Sequence, residues 1–154
     1  VIQKVRLCFL KIEKELKDSF FFSKIPFTGT QGEMTFPLSL PVENTERIYI
    51  VTYKVDKDES SDLQQLVRKD KVFSEGIEGD EEKVKKISPL MKSIKFEYAY
   101  KSNNPSASLE WKDDWKGEEQ NSLPPGIRIS LELEDSDEIY NKVVFLQQGR
   151  FETK

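Results

Sequence analysis

The chain contains no histidine. That removes the commonest general base and the commonest zinc ligand at neutral pH. It contains one cysteine, Cys8, so no internal disulfide can form, and one thiol does not decide a redox compartment. No apolar run within it is long enough to cross a bilayer. No glycine-rich phosphate loop is present, and Gly76-Ile-Glu-Gly79 is too acidic to cradle a phosphate. Basic residues never cluster in a long run. With 24 Lys and Arg against 28 Asp and Glu, the net charge is −4, which argues against nucleic acid as a partner.

What remains is a globular composition. A length of 154 residues suits one domain with a sizeable core, spanning 1–154. Charged residues make up 34% and apolar ones 36%, so the chain is polar yet able to fold. Its ten Phe, five Tyr and two Trp are enough to anchor an interior.

Residues 1–22 read as a long amphipathic helix. Val1, Ile2, Val5, Cys8, Phe9, Ile12, Leu16 and Phe20 recur on one face, opposite Lys4, Lys11, Lys14, Lys17 and Asp18. No N-cap precedes it, so Val1 is read as an internal position of a longer helix. A loop with Pro26 follows, and residues 33–151 read as a β domain. Met34, Phe36, Leu38 and Leu40 alternate around Pro37, which suggests an edge or a bulge. Residues 47–55 are apolar on both faces, as in a central strand. Residues 56–62 form a charged hairpin loop, and residues 63–69 return. Residues 76–82 read as a flexible acidic loop, and residues 84–90 are ambiguous between helix and strand. Ile94, Phe96, Tyr98 and Tyr100 mark a strand, residues 102–108 a turn. Leu123-Pro-Pro-Gly126 then turns into Ile127, Ile129, Leu131 and Leu133, and residues 142–151 complete the sheet. One helix and roughly seven strands predict an α+β domain, a long N-terminal helix packed on mostly antiparallel sheet.

The candidate chemistry is sparse. Asp56, Asp58, Glu59 and Asp62 offer oxygens to calcium, but the glycine and terminal glutamate of an EF-hand loop are missing, and a solvated hairpin tip is the plainer reading. Asp135, Asp137 and Glu138 carry the same reading. Asp113 and Asp114 lie between Trp111 and Trp115, an arrangement that would suit a carbohydrate site. The two rings are as well explained as clamps on a long connection. Cys8 falls on the apolar face, which leaves a thiol inert. No catalytic residue, metal ligand or cofactor is expected, and the chain is read as a non-enzyme. Leu7, Leu10 and Phe21 fall off the main apolar face, and Ile2, Leu7 and Leu10 are the candidate contacts for a partner helix.

The order of segments resembles a known family. The helix ending Leu16-Lys-Asp18 is followed by Tyr53-Lys-Val55, Leu66-Val-Arg68 and Ile94-Lys-Phe-Glu-Tyr98. Trp111, Trp115 and Leu123 to Leu131 close the series. Together they look like the J-type minor pseudopilin of bacterial type II secretion systems. That resemblance implies a pilin-like fold and a structural subunit at the tip of the pseudopilus, which nucleates fibre assembly with the I-type and K-type minor pseudopilins. It implies a periplasmic domain held in the inner membrane by a hydrophobic helix preceding Val1, with no nucleic acid or small-molecule substrate. The alternatives are a minor pilin of a type IV pilus or competence system, and a carbohydrate-binding β domain using Trp111 and Trp115.

Overall fold

The computed structural model describes residues 2–73, 81–103 and 108–147, with backbone alone for Ile2 and Val42. The expected acidic loop at 76–82 falls largely outside them, as do parts of the 102–108 turn and of the segment 142–151. The chain runs through α1 (Ile2–Asp18), β1 (Thr28–Gly29), β2 (Glu33–Val42), β3 (Thr45–Lys57), β4 (Gln64–Val72) and β5 (Lys83–Lys86). It continues through β6 (Ser93–Lys101), β7 (Leu109–Lys112), the short α2 (Gly117–Gln120), β8 (Gly126–Glu132) and β9 (Ile139–Phe145).

The expected α+β plan, with a long pilin-like helix braced on a sheet, is overturned. Strand occupies 50% of the chain and helix 15%, so the protein is mainly antiparallel β. Its strands form two sheets, ordered β1-β2-β3-β4-β5 and β7-β6-β8-β9. The helix has 17 residues and stops at Asp18, short of the expected residue 22. The Ser19 backbone N–H and hydroxyl both donate to the Leu16 carbonyl, at 3.2 and 2.6 Å, and close the last turn. Phe20 keeps the apolar spacing, but its neighbour Phe22 turns edge-on to Phe73 at 5.7 Å between ring centres. Aromatic packing outside the helix has captured the residues that periodicity assigned to it.

Pairing sorts the remaining segments. β3 lies between β2 and β4. The Val55 N–H donates to the Gly32 carbonyl at 2.8 Å, which directs the even-numbered bonds of this register toward β3. Pro37 therefore turns its missing donor to the open side of β2, past the two-residue β1. The ambiguous segment at 84–90 contributes the exposed strand β5. The strand β7, carrying Trp111, was not expected from the sequence.

One core joins the helix and both sheets. Val5, Cys8, Ile12 and Leu16 of α1 bury against Phe36, Val51, Tyr53 and Leu66 of the first sheet and Phe96, Ile127, Ile129 and Val144 of the second. Aromatic rings bridge the layers: Phe27 stacks on Phe36 at 5.6 Å, Phe36 on Tyr53 at 6.0 Å, and Phe27 meets Tyr98 edge-on at 6.2 Å. The stretch of β6 beyond the reach of β7 is satisfied by the first sheet. Its Ile94 N–H donates to the Gln64 side chain at 2.8 Å, and its Phe96 N–H to the Gln31 carbonyl at 2.9 Å. The Tyr98 hydroxyl donates to the Thr30 carbonyl at 2.7 Å. Its ring lies so close to Gly29 that any Cβ there would overlap it, which is why a glycine occupies the crossing.

Candidate functional site

Two ion clusters fasten α1 to the sheets. The first is built from Tyr53 and Arg68, which face each other across β3 and β4. Both reach Glu15 on the helix. The Arg68 guanidinium donates to both Glu15 oxygens, at 2.7 and 2.8 Å, and also to Asp70. The Tyr53 hydroxyl donates to the same Glu15. Only 11% of the Arg68 side chain and 13% of the Glu15 side chain meet solvent, so the pair is desolvated and bidentate. Burial opposes the Arg68 charge, and the hydrogen bonds to Glu15 and Asp70 outweigh it, leaving the guanidinium more firmly protonated than usual. Burial, reinforced by Glu15, drives the Tyr53 phenol upward. The second fastening is Lys142 of β9 against Glu13, at 2.8 Å. That hydrogen bond holds the Glu13 carboxyl below its ordinary range.

These anchors settle which helix face is outward. Val5, Cys8, Ile12 and Leu16 are buried. Leu7 and Leu10 are 57% and 59% exposed, one turn apart and uncovered by any part of the described chain. The side chain of Ile2, the third expected contact, lies outside the described residues. Phe21 is half-buried against the core and does not join the leucines. Lys4, Arg6, Lys11 and Lys14 surround Leu7 and Leu10, all exposed.

The other sequence candidates disperse. Asp58 accepts the Ser60 and Ser61 hydroxyls at 3.0 and 2.7 Å, bonds that hold its carboxyl low. Asp56 and Asp62 pair with Lys54 and Lys57, each at 3.9 Å. Among the described residues, no group of three or more potential ligands is placed to hold a metal. Asp113 reaches Lys95 at 3.8 Å, while the Asp114 carbonyl accepts the Tyr100 hydroxyl at 2.7 Å, so the adjacent carboxylates are used separately. Trp115 is 3% exposed and packs on Tyr100 at 4.6 Å, with its indole N–H to the Ser122 carbonyl at 3.3 Å. A bound sugar cannot stack on that ring. Trp111 is half-buried beneath Arg128, whose guanidinium lies 4.6 Å from the ring and grips Glu97 at 3.0 and 2.9 Å. Cys8 is buried, and burial pushes its thiol up to about 11.

Three features escaped sequence reasoning. One is the Glu15 cluster, whose other members Tyr53 and Arg68 lie 38 and 53 positions from Glu15 and share no local period with it. Another is a row of exposed apolar residues on edge strand β9, Ile139, Val143 and Phe145. Residues 142–151 were expected to complete the sheet, but which of their side chains face solvent was not legible. The last is a cleft of about 410 Å³ between the β1–β2 corner and α2, lined by Thr28, Thr30, Glu33, Asp114 and Glu118 among others. No helix among the described residues is long and apolar enough to cross a membrane. No family model and no curated protein matches the chain.

Proposed function

We propose that this protein is a non-enzymatic assembly subunit of the minor-pseudopilin kind, presenting the outward face of α1 to the helix of a neighbouring subunit. One observation carries the reading. The helix is held in a single orientation by Glu15–Arg68–Tyr53 and Glu13–Lys142, and that orientation turns Leu7 and Leu10 to solvent. Two leucines at i and i+3 on a braced helix match the way a helix anchors in a groove. On this reading the partners are the I-type and K-type minor pseudopilins. The domain sits on the periplasmic side of the inner membrane, and its role is to nucleate the pseudopilus for protein export.

The test is a titration of the soluble I-type domain from the same genome against wild type and against Leu7→Glu/Leu10→Glu, with circular dichroism as the folding control. Each Leu taken out of water contributes about 1.5–3 kcal/mol, so the double variant should bind at least about tenfold more weakly while remaining folded. Unchanged affinity refutes the reading.

A further inference from the structure

The charges around Leu7 and Leu10 describe what covers them. Leu7 has Lys4 at i−3 and Lys11 at i+4, and Leu10 has Arg6 at i−4 and Lys14 at i+4, which on a helix are direct surface neighbours. None of these four has an ion-pair partner among the described residues, and all are exposed. The helix carries three acids: two are committed elsewhere, and the third, Asp18, lies at its last residue, beyond the leucine pair and in no ion pair among the described residues. Glu15 is held inward by Arg68 and Tyr53, and Glu13 is shared by Lys142 and Lys17, at 2.8 and 3.7 Å. The first turn of α1 contains no acid. A protein of net charge −4 has thus placed an unbalanced basic rim around its exposed leucine pair. The outer face of the second sheet differs: there Arg128, Lys92 and Lys95 each hold a carboxylate. Beside the leucines, a groove of about 280 Å³ between α1 and β9 is lined by Val5, Arg6, Phe9, Leu133 and Tyr140. Arg6 is its one cation.

We infer that the surface covering Leu7 and Leu10 is a helix whose apolar stripe is rimmed by Asp and Glu, with a carboxylate meeting Arg6 at the mouth of that groove. The inference rests on the proposed helix-face function and adds the chemistry of the partner. Charge complementarity of this kind selects the partner and speeds encounter. An anionic membrane surface would meet the same cations. It would also require a broad apolar face to sink into lipid, and here that face is spent on the core, leaving two leucines.

The experiment uses two synthetic amphipathic helical peptides of identical leucine spacing, one flanked by Glu and one by Lys, with binding followed by fluorescence anisotropy. The Glu-flanked peptide should bind at least about tenfold tighter, and that advantage should shrink as salt rises from about 50 to about 300 mM and the screening length falls. Lys4→Glu/Arg6→Glu/Lys11→Glu/Lys14→Glu, at exposed positions and checked by circular dichroism, should reverse the preference. Equal affinity for the two peptides, or an unaltered preference in the charge-reversed variant, overturns the inference. Binding of vesicles containing phosphatidylglycerol, with neither peptide bound, overturns it in favour of a lipid surface. If Leu7→Glu/Leu10→Glu abolishes I-type binding while the peptides show no charge preference, the helix-face function survives and the acidic rim alone is wrong.

Discussion

Replacing Arg68 by Ala should destabilise this protein more than replacing Glu15, although the two residues share one ion pair. In Glu15→Ala the guanidinium keeps Asp70, so no buried charge is stranded and the loss is three hydrogen bonds to Glu15, two from Arg68 and one from the Tyr53 hydroxyl, together about 3 kcal/mol at a net of about 1 kcal/mol each. In Arg68→Ala the cation disappears from between Glu15 and Asp70. Their side chains are 13% and 17% exposed, and the Tyr53 hydroxyl is the donor that stays with Glu15. Two poorly solvated carboxylates then lack a counter-charge, a situation that costs about 3–5 kcal/mol. For a chain of this length each kcal/mol lowers the melting temperature by roughly 2–4 °C, so the variant should melt on the order of 10 °C lower. Glu15→Leu/Arg68→Leu/Asp70→Leu removes every charge at once. It should recover part of the loss, because apolar groups of similar size need no counter-charge there, although the buried Tyr53 hydroxyl loses its acceptor. The assay is denaturant unfolding of all three variants beside wild type, joined by Glu15→Ala/Arg68→Ala to close a double-mutant cycle. An Arg68→Ala variant within about 0.5 kcal/mol of wild type would show that the cluster is surface decoration and that the orientation of α1 has another origin.

The two tryptophans should separate cleanly. Trp115→Ala empties a buried site and should cost about 3–5 kcal/mol. Trp111→Ala loses a half-buried ring and its Arg128 contact, about 1–2 kcal/mol by denaturant midpoint, and the reverse ranking would contradict the packing described. The Cys8 thiol should not react with Ellman's reagent in the folded protein at about pH 8, and should react fully in guanidinium. Its folded value lies above its unfolded one, from 9.0 to about 11. The stabilisation it gives is therefore complete below the unfolded value and is lost as pH rises through that window. Rapid labelling under native conditions would show that α1 lifts off its sheets.

How much could be read beforehand follows from the range of each interaction. Alternation of apolar residues at 34–40, 94–100 and 127–133 is a local consequence of the strand pleat, and those segments are β2, β6 and β8. The helical period likewise named Val5, Cys8, Ile12 and Leu16 as the buried face and set Leu7 and Leu10 apart from it. Composition alone, without histidine and with one cysteine, removed an imidazole base and an internal disulfide from consideration. The helix end was beyond that reach. Phe20 fits the period, and what stops the helix is the Ser19 cap together with the meeting of Phe22 and Phe73. The division into two sheets was also out of reach, since it depends on which strand edges Gln31 and Gln64 satisfy, 65 and 30 positions from their β6 partners. Periodicity records which face of an element is apolar. Only folding decides what that face meets, because cross-strand pairs such as Tyr53 with Arg68, and the carboxylate of Glu15 that both bind, are brought together by topology and not by spacing along the chain.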